Sequence, residues 1–313
     1  MLKFKAILLL TLILIVSCVE EEYPDEVTVE MISDTDGYSY VCRPAGEGPF
    51  PTVLYSHGGL GTAIGGNLEG TCIALAEAGY LARAEKRDTT ISLAGHLNEV
   101  LTSLDELLSH EDANTNKIGI MGFSRGGLLT LQVGIARNDQ VPAILLLSPA
   151  PGAYDADSLT TLHTTLEQAS EINAPVLVLV PENDLYQANH VQLAYDVIDS
   201  LDAVEKEWSF ILYPAYDSDG DGISFYDYGT DGIEGEPYTD TNGNGHCDAG
   251  EPWEDLDGNL LCTGCDLDGS EGNGEKDEGE NFDEGDDGHE LFWEVQEPYW
   301  SDVLEFLDEK IGE

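Results

Sequence analysis

Basic residues are scarce in this chain. Its 313 residues include 12 Lys and Arg against 62 Asp and Glu, a formal charge of −50. Such a surface repels a phosphate backbone, which excludes nucleic acid as a partner. Between Asp217 and Asp287 basic residues almost vanish, glycines crowd in, and roughly half of the charge excess accumulates. Elsewhere the acidity reads as a solvating surface. Long apolar runs are also missing. The run "AILLLTLILIV" near the N-terminus falls short of the ~20 residues that span a bilayer. The chain as a whole is 42% hydrophobic, enough to bury one large domain or one domain plus an insertion.

That N-terminal run follows Lys3 and Lys5 and ends in Ile15-Val16-Ser17-Cys18, the build of an export signal rather than a span. The ending resembles the lipobox of bacterial lipoproteins. The resemblance implies residues 1–18 as signal, acylation of Cys18, and a lipid anchor at the cell envelope. Residues 19–26, including "VEEEYPDE", read as an acidic tether, similar to the export signal of some surface lipoproteins. An uncleaved signal anchor is the alternative. Five further cysteines, Cys42, Cys72, Cys247, Cys262 and Cys265, would then sit in an oxidising compartment, with connectivity not legible. "CTGC" at 262–265 lacks the four nearby ligands of a structural zinc site, so a disulfide within the acidic segment is the expected use.

From Val27 to Pro214, short β-rich runs alternate with longer helical ones, the signature of a mostly parallel sheet covered on both faces by helices. "VTVEMI" and "YSYVCR" read as an opening antiparallel hairpin, and "EPYWSDVLEFLDEKI" as a closing amphipathic helix. The expected domain comprises residues 27–216 plus 286–313, with residues 217–285 inserted.

The stretch "KIGIMGFSRGG" carries the chemistry. Gly122-Phe123-Ser124-Arg125-Gly126 is G-x-S-x-G placed between a predicted strand and a predicted helix, where a tight turn holds Ser124 Oγ clear of the sheet. A serine nucleophile needs a base and an orienting acid, in the chain order Ser, acid, His. "PVLVLVPEND" supplies Asp184 at a strand end, with Glu182 as substitute. The base is expected after the last strand, where His289 in "DDGHELFW" fits; His246 lies in the acidic segment, and His190 lies on a predicted helix too close to Asp184. An oxyanion hole needs two backbone N–H groups: one from Arg125, the other from Gly59 or Leu60 in "SHGGLG". Arg83, Lys86 and Arg87 follow a strand on the same side, for an anionic substrate group or for surface pairing.

With "YSHGG", "GFSRGG", "APVLVLVPEND" and "GHELF" in place, the chain resembles the α/β-hydrolase superfamily, and within it dienelactone hydrolase-like enzymes and esterases. The resemblance implies acyl transfer to Ser124, His289 as general base then acid, and Asp184 fixing its tautomer. Dienelactone hydrolases themselves use cysteine as nucleophile, so Ser124 favours a carboxylesterase-like or acyl-peptidase-like role, and a small-molecule ester, hydrolysed without a cofactor for the chemistry, is the expected substrate. A serine peptidase of the same fold is the runner-up. A calcium-binding adhesion module on a hydrolase scaffold is the non-catalytic alternative.

In the relatives, the last strand runs almost directly into the histidine loop. Here about seventy residues intervene. "TDTNGNGHCDAGE" matches D-x-[DN]-x-[DN]-G-x5-E, with Asp240, Asn242, Asn244, Asp248 and Glu251 as oxygen ligands. Asp217, Asp219 and Asp221 with Gly222 begin a similar loop that has Tyr228 at its last position. Asp255, Asp257 and Asn259 form a third cluster without the glycine, and Asn273, Asp277 and Glu280 a fourth without the leading Asp. With no flanking helices, the segment resembles thrombospondin-type or dockerin-like calcium repeats. Structural Ca2+ is expected to order it; without the ion, like charges favour disorder.

Overall fold

The computed structural model describes residues 26–33, 37–59, 64–88, 95–150, 156–185, 189–226 and 281–312, with Thr241 and Lys276. Cys18, Leu60, His246 and the expected ligands of the second, third and fourth acidic loops lie outside the described residues.

Eight strands form one sheet: β1 (Thr28–Ser33), β2 (Tyr38–Arg43), β3 (Phe50–Ser56), β4 (Leu81–Glu85), β5 (Ala113–Phe123), β6 (Ala143–Leu147), β7 (Val176–Pro181) and β8 (Trp208–Tyr213). Their spatial order is β1-β2-β4-β3-β5-β6-β7-β8. The opening hairpin is antiparallel, as is β2 on β4, and every later neighbour pair is parallel. Parallel neighbours require crossovers, and helices α1 (Leu68–Glu77), α2 (His96–Leu108), α3 (Arg125–Ala136), α4 (Ala156–Leu166), α5 (His190–Asp202) and α6 (Tyr299–Ile311) supply the cover.

The central strands are apolar on both faces because both are covered. β6 reads Ala-Ile-Leu-Leu-Leu and β7 Val-Leu-Val-Leu-Val-Pro, buried throughout. Alternate residues therefore feed two separate cores. Leu145, Leu147, Leu177 and Leu179 pack with α1 and α6 on one side. Ile144, Leu146, Val176, Val178 and Val180 pack with α2 and α5 on the other.

β5 starts at Ala113, earlier than the "KIGIMGF" pattern, because Asn114 to Lys117 extend the strand beyond the apolar stretch. A disulfide joins Cys42 on β2 to Cys72 on α1, pinning the first crossover helix to the sheet. Among the described residues no helix is long and apolar enough to cross a membrane.

The two ends of the inserted segment meet. Phe225 and Phe282 form an antiparallel bridge, Tyr226 donates its N–H to Asn281, and Asp283 donates to Ser224. The insertion therefore leaves and rejoins the domain at one neck beside the loop that carries His289.

Candidate active site

The nucleophile candidate lies at the end of β5, the middle of the parallel run. Ser124 has φ 53° and ψ −120°, a region that L-residues avoid, and it persists because its neighbours over-determine it. Ser124 N–H bonds to Leu147 O at 2.8 Å, and its carbonyl accepts from Gly127 and Ala150 at 2.8 and 2.9 Å. A β-carbon on Gly126 would collide with the backbone carbonyls of Ser56 and His57, and one on Gly122 with the Gly126 carbonyl. The motif's glycines are thus dictated by how closely α3, β5 and the end of β3 approach. Ser124 immediately precedes α3, so its side chain stands where the helix N-terminus favours developing negative charge.

The acid and the base arrive from the far edge. β7 ends at Pro181, and Asp184 follows in a turn closed by Asp184 N–H to Pro181 O. Asp184 is fully buried. His289 sits in a short 3-10 turn, Gly288–Phe292, whose N-cap is Asp287; the Asp287 carboxylate accepts the His289 N–H at 2.9 Å. The bond that matters chemically is His289 Nδ1 to Asp184 Oδ2, at 2.8 Å. It leaves the other ring nitrogen, Nε2, for the nucleophile. The His289 ring also lies against Phe123, centroids 4.6 Å apart, so it is next to the residue that precedes Ser124. A β-carbon on Gly288 would strike Asn183 and the Asp184 backbone, which is why a glycine precedes the histidine.

Glu182, the substitute acid, is engaged elsewhere: its Oε1 accepts the Ala215 N–H at 3.1 Å. Asp184 is the carboxylate that faces His289. Burial alone would raise the Asp184 carboxyl, but the imidazoles of His190 and His289 outweigh it and hold the group well below the usual carboxylate range. The acid therefore stays ionised.

His190, close to Asp184 in the chain and on a predicted helix, nevertheless enters the site. It is the first residue of α5, buried, with Nδ1 3.0 Å from Asp184 Oδ1 and 2.9 Å from His289 Nδ1. The device that turns it inward is Asn189, left-handed at φ 63°, whose side chain caps the helix through Gln192 N–H. Burial lowers the His190 pKa, against the pull of Asp184 in the other direction.

The oxyanion side is built from the segment after β3. A β-carbon on Gly58 would lie 3.0 Å from Ser124 Cβ, so this loop packs directly on the nucleophile. Gly58 pairs with Gly65 in both directions at 2.9 and 3.0 Å, and Gly59 takes φ 80°. Arg87 is neither a substrate clamp nor a surface pair. Its guanidinium is buried and donates to the carbonyls of His57 at 2.7 Å and Gly59 at 2.9 Å, while its N–H donates to His57 Nε2 at 3.1 Å. His57 Nδ1 closes the set on the Gly58 carbonyl. Arg87 thus fixes the backbone that carries Gly59. Arg83 lies within β4 and is held by Glu85, Glu106 and Ser103.

Of the expected metal ligands, Asp217, Asp219 and Asp221 are described. Asp217 accepts the N–H groups of Gly220 and Gly222, with both glycines at left-handed φ. Asp217 and Asp219 converge with Asp286, which the sequence pattern did not include, so that one carboxylate oxygen of each lies within 4.8 Å of the others. Asp221 instead caps its own turn, accepting the Ile223 N–H.

The site carries the parts of a serine hydrolase: a nucleophile on a strained elbow, an imidazole, and a buried carboxylate that orients it. No curated protein matches the chain. A profile of the dienelactone hydrolase family matches residues 84–218. Among solved structures, a Bacteroides ovatus protein described as a dipeptidyl aminopeptidase IV superposes with a TM-score of 0.50 at 15% identity, over 63% of this chain and 33% of that one. Esterase B from Lactobacillus rhamnosis gives 0.47 at 18%, over 62% and 77%. Est1E from Butyrivibrio proteoclasticus gives 0.48 at 16%, over 59% and 88%. The chain spans about a third of the peptidase's length and most of either esterase's. Strand order, elbow and superposition agree: the chain has the α/β-hydrolase fold.

Proposed function

We propose that this protein is a serine hydrolase of carboxylic esters, anchored by lipid on Cys18 in the bacterial cell envelope and facing the periplasm or the cell exterior. The observation that carries the chemistry is the 2.8 Å bond from His289 Nδ1 to Asp184, with the histidine ring seated against Phe123 beside Ser124. Ser124 Oγ attacks the ester carbonyl carbon as its proton passes to His289 Nε2. The oxyanion is met by backbone N–H groups of Arg125 and of the loop from Gly59 to Leu60. Collapse of the tetrahedral intermediate expels the alcohol, which takes the proton back from His289. Water, deprotonated by the same nitrogen, then releases the carboxylic acid and restores Ser124. Asp184 stays ionised throughout and holds the Nδ1–H tautomer.

Support for an ester comes from the family match and from the esterases with similar architecture. Support for an extracytoplasmic site comes from the Cys42–Cys72 disulfide. The test is turnover of p-nitrophenyl acyl esters of increasing chain length, set against aminoacyl p-nitroanilides. Ester turnover lost in Ser124→Ala supports the reading; anilides preferred over esters would replace it with a peptidase.

Calcium is the proposed structural ion of residues 217–285. The donors at the neck are hard carboxylate oxygens of Asp217, Asp219 and Asp286, which suit it. Burial, and then repulsion from Asp217 and Asp219, raise the Asp286 carboxyl against the hydrogen bonds from Ser218 and Asp219. A cation there would relieve that repulsion. Asp240, Asn242, Asn244, Asp248, Glu251, Asp255, Asp257, Asn259, Asn273, Asp277 and Glu280 are the proposed ligands in the rest of the segment.

A further inference from the structure

The structure assigns a second, inhibitory role to the cluster Asp184, His190 and His289: we propose that it is a binding site for a divalent transition ion of the zinc type. The inference rests on the triad reading above.

Three groups converge there. His289 Nδ1 is 2.8 Å from Asp184 Oδ2, His190 Nδ1 is 3.0 Å from Asp184 Oδ1, and the two Nδ1 atoms are 2.9 Å apart. One ligand atom from each group lies within 4.8 Å of the others, and all three residues are buried. Orienting the catalytic histidine takes only one imidazole on the acid. A second ring nitrogen aimed at the same carboxylate and at the first ring is the donor set of a two-histidine, one-carboxylate metal site. Zinc binds imidazole nitrogen and carboxylate oxygen at about 2.0–2.2 Å, so tetrahedral ligands stand roughly 3.3 Å apart. The two Nδ1 atoms, 2.9 Å apart, reach that spacing by opening a few tenths of an ångström, and the carboxylate, which now meets each ring with a different oxygen, turns one oxygen to the ion. The ion takes three protein ligands and keeps an open fourth position.

Occupation stops the reaction for a defined reason. In the free enzyme His289 carries its proton on Nδ1 and offers the Nε2 lone pair to Ser124. Zinc takes the Nδ1 lone pair, the Nδ1 proton is displaced, and the neutral ring then holds its proton on Nε2. That nitrogen can no longer accept the proton of Ser124 Oγ.

The experiment has two arms, both in millimolar calcium so that oxygen-rich sites are filled. Calorimetric titration of Ser124→Ala with zinc chloride reads binding without activity. Inhibition of ester turnover by zinc is read in the wild type, His190→Gln and His190→Asn, each normalised to its own metal-free rate and checked for native circular dichroism. The expected result is one zinc site in Ser124→Ala that is lost when His190→Gln is added, with a half-inhibitory concentration at least tenfold higher in both His190 variants. Zinc binding that survives in the double variant, or inhibition unchanged by either His190 substitution, places the ion elsewhere, for example on Cys262 and Cys265, and overturns the inference. Fluorophosphonate labelling of metal-free wild type separates the two readings: labelled enzyme that ignores zinc leaves the hydrolase standing and removes the metal site.

Discussion

Asp286 Oδ1 accepts the backbone N–H of Ser218 at 2.6 Å, across 68 residues of sequence. Ser218 Oγ in turn accepts the Asp287 N–H at 2.8 Å, and Asp287 caps the turn that holds His289. The first residues of the insertion are therefore wired to His289, the proposed base, through two hydrogen bonds. Asp217→Asn together with Asp219→Asn should lower kcat several-fold at fixed calcium with little change in KM, since the acyl site itself is untouched. Calcium dependence of kcat that is identical in this variant and the wild type would detach the neck from catalysis.

The elbow stores strain. At φ 53° a glycine is unstrained where serine is not, by about 1–3 kcal/mol. Ser124→Gly should raise the thermal midpoint by a few degrees, in line with about 2–4 °C per kcal/mol, while removing turnover. Ser124→Ala removes turnover too, by about a thousandfold or more, but keeps the strain and should leave the midpoint near the wild type. Scanning calorimetry of the two variants decides it; equal midpoints would mean that the turn is not strained.

Arg87 holds the oxyanion loop by its carbonyls and touches no nucleophile or base. Arg87→Met should cut kcat by up to about two to three orders of magnitude, the range for a lost oxyanion donor, with the thermal midpoint lowered as well. Arg87→Lys should recover little, because one ammonium cannot serve both His57 O and Gly59 O in the plane that the guanidinium does. Full rescue by lysine would argue for simple charge.

His57 gives a pH window. Burial first, and the Arg87 charge second, hold its pKa well below the ordinary histidine value. The unfolded state then binds a proton that the native state refuses. The contribution to stability is complete above the unfolded pKa of about 6.5 and is lost as pH falls below it. Burial lowers His190 in the same direction. Urea unfolding at pH 7.5 and pH 5.5 should show the wild type weaker at the lower pH, and His57→Gln losing less over the same interval. An equal loss in both would remove His57 from the account.

The disulfide closes a loop of 30 residues. Opening it should remove about 3–4 kcal/mol, read as a lower denaturant midpoint after reduction under conditions where Cys42→Ser/Cys72→Ser is unaffected by reductant.

Much of this was legible because its signals are local. Ser124 announces itself through Gly122 and Gly126, which the close approach of α3 to β3 demands, and β6 and β7 through unbroken apolar runs that only a doubly covered sheet buries. Asp184 and His289 follow from where strands end. The misses are non-local. Asp286 joins Asp217 and Asp219 only because the insertion returns to its own root. The pairing of Cys42 with Cys72 depends on α1 lying across β2. Arg87 reads as surface charge until its loop is folded over the "HGG" backbone. The short chain distance from Asp184 to His190 argues against a contact, whereas the left-handed turn at Asn189 brings the helix start back onto the acid.

The central claim is that Ser124 is a nucleophile activated by His289 and Asp184. Intact-mass analysis with peptide mapping after fluorophosphonate treatment of residues 20–313, in calcium, tests it most directly. The account predicts one adduct per molecule on Ser124, absent in Ser124→Ala and formed far more slowly in Asp184→Asn. A folded protein that takes no adduct, or that is labelled equally fast in Asp184→Asn, would contradict it.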